Sequence, residues 1–217
     1  MTANGILQIA LYFLVLLALT KPLGAFMAKV FSGERTFLHP VLRPLEVGLY
    51  KLCGIQEDGE QHWTIYAGSM LAFSLVGIVF SYILLRLQQW FPLNPQGLAN
   101  LGPDLSFNTA VSFGTNTNWQ SYNPEATMSY FSEMIALATH NFWSAATGIC
   151  VALALVRGFA RHSAQTLGSF WVDFVRSTVY VLLPLSVVGA LLLVSQGAIQ
   201  NFHPYTKVAT VCLLYTS

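Results

Sequence analysis

The chain has 217 residues, of which 54% are hydrophobic and 9% are charged, with a formal net charge of +1. Soluble domains usually carry about 25% charged residues, so this composition excludes an ordinary soluble domain and predicts an integral membrane protein. The small net charge and the lack of a long basic run predict no nucleic-acid partner. Cys53, Cys150 and Cys212 stand far apart and match neither a zinc site nor a disulfide framework.

The first hydrophobic segment predicts a spanning helix over Asn4 to Thr20, with an extension past Pro22 left open. No Lys or Arg precedes this segment, and the first cation, Lys21, follows it. A secretory signal has the reverse order and a small-residue cleavage site, so we interpret the segment as a retained helix.

A second helix is predicted in the basic segment that follows, over "HPVLRPLEVGLYKLCG". Its apolar residues recur at helical spacings and lie on one face, namely Val41, Leu42, Leu45, Leu49 and Leu52. Such an amphipathic helix either lies at the membrane interface or packs on other parts of the protein, and the sequence leaves both alternatives open.

Three further hydrophobic segments are long enough to cross a bilayer core of about 30 Å. They are Trp63–Leu85, Met128–Val156 and Ser177–Ile199. The last contains Pro184, which a spanning helix tolerates as a kink.

The Lys and Arg residues are distributed unevenly between the two sides of the membrane. Of the ten Lys and Arg residues, eight lie on one predicted side of the membrane: Lys21, Lys29, Arg35, Arg43, Lys51, Arg157, Arg161 and Arg176. The Gln88–Thr127 segment has neither Lys nor Arg. The positive-inside rule therefore predicts that the basic segments and Cys53 are cytoplasmic, and that the N-terminus, Asn94, Asn123 and the C-terminal end lie outside.

A short helix is predicted in the outer segment, over "GPDLSFNTAVSF". Pro103 and Asp104 are favourable first-turn residues, and the helix is too short to span. "FGTNTNWQSYNPE" follows it, before the next spanning segment. This order of spanning helix, half-helix, polar extended segment and spanning helix is that of a potassium-channel pore unit.

In a pore unit, backbone carbonyl oxygens replace the hydration shell of a cation, and the negative end of the half-helix faces the ion. Gly114 would give the backbone freedom to turn out of the half-helix. The alternative is a polar extracellular turn, since Asn, Ser and Gly favour turns.

The third spanning segment carries one polar face, formed by Tyr130, Glu133, His140, Ser144 and Gly148. A fold-stabilising interior face is favoured over a direct ion role for Glu133 and His140. A membrane-embedded enzyme using these two residues is disfavoured, because their spacing does not fit HExxH and no second catalytic set completes a site.

Several motifs together resemble one family. "LLALTKPLG", "LNPQGL", "NTAVSFGTNTNWQSY", "TMSYFSEMIALATHNFWSAATGI" and "GSFWVDFVRSTVYVLLPLSVV" are similar to the KdpA family, the potassium-binding subunits of bacterial Kdp potassium pumps. The resemblance implies an all-α polytopic membrane protein with four non-identical, potassium-channel-like pore units. This chain would hold an extra N-terminal helix, the first unit and the first helix of the second.

The same resemblance implies a site and a function. Backbone carbonyls of Thr115, Asn116, Thr117 and Asn118 would bind potassium, with Gly114, Trp119 and Gln120 forming the filter environment. The subunit would translocate potassium in the bacterial inner membrane without hydrolysing ATP or binding another cofactor. Its implied partners are a P-type ATPase catalytic subunit (KdpB), a single-span subunit (KdpC) and a small peptide (KdpF). A subunit of a non-pump potassium transporter, or a purely structural subunit, is the alternative.

The predicted organisation has four parts. Residues 1–62 form the first helix and the cytoplasmic segment. Residues 63–157 form the pore unit, with a filter loop over 103–120. Residues 158–205 form a linker and the next spanning helix. Residues 206–217 are predicted to be a truncated end. Because "CLLYTS" from Cys212 to Ser217 is what the sequencing adapter TGTCTCTTATACACATCT encodes in one frame, we interpret these six residues as adapter read-through.

Overall fold

A computed structural model describes residues 2–161 and 165–205 of the chain. Within these residues, eight α-helices follow one another: α1 (Ala3–Phe31), α2 (His39–Cys53), α3 (Trp63–Arg86), α4 (Pro103–Gly114), α5 (Pro124–Thr127), α6 (Thr139–Ala160), α7 (Phe170–Arg176) and α8 (Leu183–Ser195). Two π-helical segments, Ser132–Ala138 and Ser177–Leu182, join directly onto α6 and α8. The predicted end at Cys212 to Ser217 lies outside the described residues.

Four of the described helical spans are long and apolar enough to cross a membrane. They are Asn4–Phe31, Trp63–Arg86, Ser132–Ala160 and Phe170–Ser195. These spans confirm the predicted all-α polytopic membrane protein.

The first span includes the extension past Pro22 that the sequence left open, since α1 ends at Phe31. Pro22 lies inside the helix, which membrane helices tolerate. Lys21 and Lys29 therefore lie on the helix itself and not in a loop. Long Lys side chains near a helix end can carry their charge to the membrane surface, so they do not stop the helix.

The last span also begins earlier than predicted, at Phe170 rather than Ser177, and it ends at Ser195 rather than Ile199. The missed turns contain two charged residues that are buried in the structure, Asp173 (2% exposed) and Arg176 (9%). Arg157 Nη2 donates to Asp173 Oδ1 at 2.9 Å, and Arg176 Nε donates to Glu46 Oε1 at 3.0 Å. A buried charge with a hydrogen-bonded partner is tolerated in a helix, and the sequence alone did not reveal the partners.

The chain divides into two compact units. The first comprises Met1–Ser69 and Ile149–Ala190. Its core contains side chains of α1, α2, α7 and the second π-helical segment: Val30, Tyr50, Val172, Val175, Val179 and Tyr180. Leu42 and Leu49 of α2 pack against this core, whereas Val41 and Leu52 are exposed. The amphipathic helix therefore packs on protein with part of its apolar face.

Glu46 is the centre of a buried hydrogen-bonded cluster in this first unit. Its carboxylate accepts hydrogen bonds from Arg43 (2.9 Å), Arg176 (3.0 Å), Tyr50 (2.8 Å) and Tyr180 (2.8 Å). Burial by itself raises the pKa of Glu46, but these donors outweigh it and hold the pKa below its usual value. The carboxylate therefore stays ionised and links α2 to the last span.

Glu57 extends the same cluster. It accepts from Arg43 Nη2 at 2.6 Å and from Arg176 Nη2 at 2.7 Å. The hydrogen bond from Arg43 holds the pKa of Glu57 below its usual value. A carboxyl group with a depressed folded-state pKa stabilises the fold above its unfolded pKa, and this stabilisation is lost as pH falls through the folded-state pKa.

The second unit comprises Met70–Gly148 and Leu191–Ser217. Its core joins the end of α3 to α4 and the start of the third span, through Leu84, Leu85, Leu101, Phe113, Met128, Ala136 and Leu137. The buried amide of Gln88 donates to Ala99 O (2.6 Å) and Thr127 O (2.9 Å) and accepts from Ser132 Oγ (2.9 Å). Gln88 thus fixes both ends of the long segment between α3 and the third span.

Candidate functional site

The candidate site lies at the C-terminal end of the short helix α4. Pro103 occupies the first turn after Gly102, and Asp104 adds an acidic residue there, as predicted. The helix has 12 residues, which corresponds to roughly 18 Å, too short to cross a bilayer. Its buried residues are Ser106, Thr109, Ala110, Ser112 and Phe113. The predicted half-helix is therefore present and is anchored in the second unit.

The four residues after Gly114, here called the TNTN segment (Thr115–Asn118), form a tight turn rather than the predicted extended strand. Asn116 and Asn118 have φ angles of 60° and 55°, whereas Thr115 has a φ of −98°. Few residues other than glycine adopt the left-handed region, and Asn is one of those that do so most readily. The two Asn residues are therefore suited to the backbone conformation of this segment.

All four backbone N–H groups of the TNTN segment turn back onto α4. Thr115 N donates to Val111 O at 3.0 Å and Asn116 N donates to Phe113 O at 3.3 Å. Thr117 N and Asn118 N both donate to Ser112 O, at 2.9 and 3.1 Å. These bonds satisfy carbonyl groups that a helix C-terminus leaves without partners.

The carbonyl oxygens of the TNTN segment are left available. Among the described residues, none donates a hydrogen bond to the carbonyl oxygens of Thr115–Asn118. All four residues are exposed and none carries a charge. The turn is held by two further contacts: Ser112 Oγ donates to Trp119 O at 2.9 Å, and the Thr115 and Thr117 hydroxyls are 3.2 Å apart. Neutral backbone carbonyl groups are the ligands that potassium filters use.

The two residues after the segment differ in their surroundings. The Trp119 side chain is 58% exposed. Gln120 is half-buried and lies beside the Tyr122 hydroxyl, which is also close to Thr109. The pKa of the Tyr122 hydroxyl is raised to about 12, mainly by burial and also by the nearby Glu133 carboxylate, against the lowering effect of Thr109 and Gln120. Tyr122 therefore remains a neutral O–H group at neutral pH.

His140 lies in the interior of the second unit, whereas Glu133 is half-buried there. His140 is 2% exposed, and its Nδ1 lies 2.9 Å from Ser81 Oγ and 3.0 Å from Ala136 O. The Oε1 atom of Glu133 is buried without a hydrogen-bond partner among the described residues. The imidazole joins α3 to the third span, which is a fold-stabilising arrangement.

Gly114 is required for a different reason from the predicted one. It is the last residue of α4 and is not among the described glycines with a positive φ, so backbone freedom does not explain it. A Cβ atom at this position would lie 2.3 Å from Ile78 Cγ1 of α3. The glycine therefore allows the end of α4 to approach α3 closely.

We expect Gly114→Ala to displace the end of α4, because two carbon atoms cannot lie 2.3 Å apart. Overpacking typically costs about 1–3 kcal/mol of unfolding free energy. The check is the thermal midpoint of the purified full-length protein in detergent. Ile78→Ala removes the clashing atom, so the double variant Gly114→Ala/Ile78→Ala is expected to be no less stable than Ile78→Ala alone. Equal midpoints for Gly114→Ala and the unmodified protein would contradict the steric explanation.

Sequence reasoning missed several residues that build the site. Ser112 organises the turn through its carbonyl oxygen and its hydroxyl, and Ile78 sets the position of α4. Ser112 follows Thr109 by three residues, so both lie on the same face of α4, which is buried. This spacing could have indicated Ser112 from the sequence. Nothing in the sequence indicated Ile78, because it lies on another helix in an uncharged run.

The fold and the site together define an all-α polytopic membrane protein with a half-helix and a neutral turn between two spans. The family profile "KdpA: Potassium-transporting ATPase A subunit" matches residues 10–214, and the chain belongs to this family.

Curated relatives support the assignment. A "Potassium-transporting ATPase potassium-binding subunit" of Solibacter usitatus is 66% identical over 211 residues, which cover 97% of this chain and 37% of that protein. Proteins with the same name from Rhodospirillum centenum and Acidobacterium capsulatum are 57% and 53% identical, over 97% of this chain. The chain spans little more than a third of the length of these relatives.

Proposed function

We propose that this chain supplies one pore unit of a potassium-binding, potassium-translocating subunit of an ATP-driven uptake pump. The observation that carries the proposal is the TNTN segment, whose four residues are exposed and uncharged and whose carbonyl oxygens accept no hydrogen bond within the described part of the chain. Carbonyl oxygens without charged neighbours replace the hydration shell of a monovalent cation. The names of the relatives support potassium as that cation.

The four residues Thr115, Asn116, Thr117 and Asn118 are the proposed backbone ligands. Gly114, Trp119 and Gln120 are proposed to shape their environment. A single turn offers only part of a coordination shell, so the remaining ligands are proposed to come from equivalent units of the full-length protein. Potassium is the transported substrate in this proposal.

The subunit is proposed to be non-hydrolytic and to depend on partners. A P-type ATPase subunit (KdpB) would hydrolyse ATP, with a single-span subunit (KdpC) and a small peptide (KdpF) completing an inner-membrane complex. The support is the name of the relatives, which combines a potassium-transporting ATPase with a subunit described by potassium binding.

The experiment that tests the function uses the full-length protein containing this segment, purified with its co-expressed operon partners. We expect ATPase activity to be stimulated by potassium and to saturate with potassium concentration. Potassium transport without a co-purifying ATPase would favour the non-pump transporter. The absence of both potassium binding and potassium-dependent activity would overturn the proposal.

We also expect the basic segments to face the cytoplasm. Cys53 at the end of α2 is exposed, whereas Cys150 is buried. A membrane-impermeant maleimide should therefore label Cys53 in inside-out vesicles and not in intact spheroplasts, because eight of the ten cations lie on its side. Cys53→Ser is the control that identifies the labelled thiol. Labelling of Cys53 from outside would reverse the proposed orientation.

A further inference from the structure

Asn116 is an exposed residue whose side-chain amide contacts the third span. Ser144 Oγ lies 3.2 Å from Asn116 Oδ1 and 2.6 Å from His140 O. Gly148, one turn after Ser144, lies beside the same amide, since a Cβ there would be in ordinary van der Waals contact with Asn116 Nδ2 at 3.7 Å. Ser144 and Gly148, on the polar face of the third span, therefore form a contact site for this one side chain, here called the seat.

The helix that carries this seat is itself fixed. His140 lies 2.9 Å from Ser81 Oγ of α3, and a Cβ at Gly77 would lie 2.8 Å from His140 Nε2. Buried polar groups with several partners hold one arrangement of the elements that carry them. Ser144 follows His140 by one helical turn, so its hydroxyl is presented to Asn116 from a rigid position.

A small cavity adjoins the seat. It has a volume of about 10 Å³ and is lined by aromatic, polar and glycine residues: Phe73, Trp143, Ser74, His140, Ser144, Thr147, Gly77 and Gly114. A space of this size admits about one water-sized sphere. The space between the end of α4 and the helices behind it is therefore small.

The backbone conformation of Asn116 also depends on surrounding contacts. Its φ of 60° is in the left-handed region, which costs a non-glycine residue of order 1 kcal/mol and persists where surrounding contacts over-determine it. The amide in its seat supplies such contacts. Carbonyl directions in the TNTN segment depend on this φ angle, so the seat of the side chain controls the position of the proposed ligands.

We propose that Ser144 and Asn116 form a bracket that positions the TNTN segment and thereby sets potassium affinity and the discrimination of potassium from sodium. The inference rests on the proposed function and assigns to both side chains a positioning role. Ser144 acts through Asn116 and touches no ion.

The alternative for Ser144 is a local role, because Ser and Thr in spanning helices often donate to the carbonyl group four residues earlier. Thr147 provides the matched control, since its hydroxyl donates to Trp143 O at 2.8 Å and makes no hydrogen bond to the TNTN segment. Ser144→Ala and Thr147→Ala therefore remove the same kind of helical bond, and only the first removes the bracket.

The test measures ATPase activity of the purified complex against potassium and against sodium. We expect Ser144→Ala to raise the half-saturating potassium concentration about fivefold, as for the loss of one hydrogen bond. We also expect a smaller difference between the half-saturating concentrations of sodium and potassium. The maximal rate and the thermal midpoint of Ser144→Ala should stay close to those of Thr147→Ala. Thr147→Ala should have the same half-saturating potassium concentration as the unmodified complex. Identical half-saturation in Ser144→Ala and Thr147→Ala would overturn the inference.

Asn116→Gly approaches the same contact from the other side, because glycine keeps the left-handed φ while it removes the amide. It should raise half-saturation at least as much as Ser144→Ala, and the double variant should be no worse than the more affected single variant, since both remove one interaction. Additive increases in the half-saturating potassium concentration of the double variant would overturn the inference. If Ser144→Ala does not fold, the half-saturating concentration of Asn116→Gly decides: an unchanged value would overturn the inference. An unmodified complex that does not respond to potassium would instead refute the proposed function.

Discussion

Gln120→Arg is expected to raise the half-saturating potassium concentration of the full-length complex about a hundredfold. Gln120 follows the TNTN segment and is half-buried beside Tyr122, so a guanidinium there would be only partly hydrated. At about 6 Å from a potassium ion and an effective dielectric near 20, the repulsion is about 3 kcal/mol. The measurement is potassium-stimulated ATPase activity over a range of potassium concentrations.

Two variants at the same position separate charge from shape. Gln120→Leu removes the amide without adding charge, and Gln120→Glu adds a negative charge that cannot repel the ion. We expect neither to show the hundredfold loss. If Gln120→Arg left half-saturation unchanged, the segment would be an exposed turn in which water and salt screen the added charge.

Glu46→Ala is expected to have the largest effect on stability. It removes the carboxylate that accepts from Arg43, Arg176, Tyr50 and Tyr180, and it leaves the 9% exposed Arg176 with only Glu57 as an acidic partner among the described residues. Removing one member of a buried ion pair typically costs about 3–5 kcal/mol. We expect a large fall in the thermal midpoint of the detergent-solubilised protein and a lower yield in the membrane.

Glu60 provides a matched control in the same unit. It pairs with Arg161 at 3.0 Å, but the two side chains are 48% and 39% exposed. Exposed pairs contribute about 0–1 kcal/mol, so Glu60→Ala should change the midpoint little. If Glu46→Ala and Glu60→Ala lowered the thermal midpoint by comparable amounts, the buried cluster would have no special role in the stability of the fold.

The last span illustrates how charge misled the sequence prediction. The predicted start at Ser177 leaves Asp173 and Arg176 outside the span, whereas the span in the structure starts at Phe170. Their partners, Arg157 and Glu46, are distant in sequence, and hydropathy treats every charge as unpaired. Pairing is a property of the folded chain, so a single-sequence pattern cannot include it.

The TNTN segment shows the same limit at the site. Its position after a half-helix and its neutral composition were predictable, because both are local features. Its compact shape was not, since the left-handed φ angles of Asn116 and Asn118 depend on hydrogen bonds to α4. Gly114 was noticed, but its purpose depends on Ile78 of another helix.

By itself, the sequence determined the class of the protein, its four spans, the half-helix and its family, because hydrophobic length and local motifs are written along the chain. The tertiary structure decided which charges are buried in pairs, where α2 packs and which side chains stand behind the TNTN segment. These features depend on distances between residues far apart in sequence, and only the packed helices fix those distances.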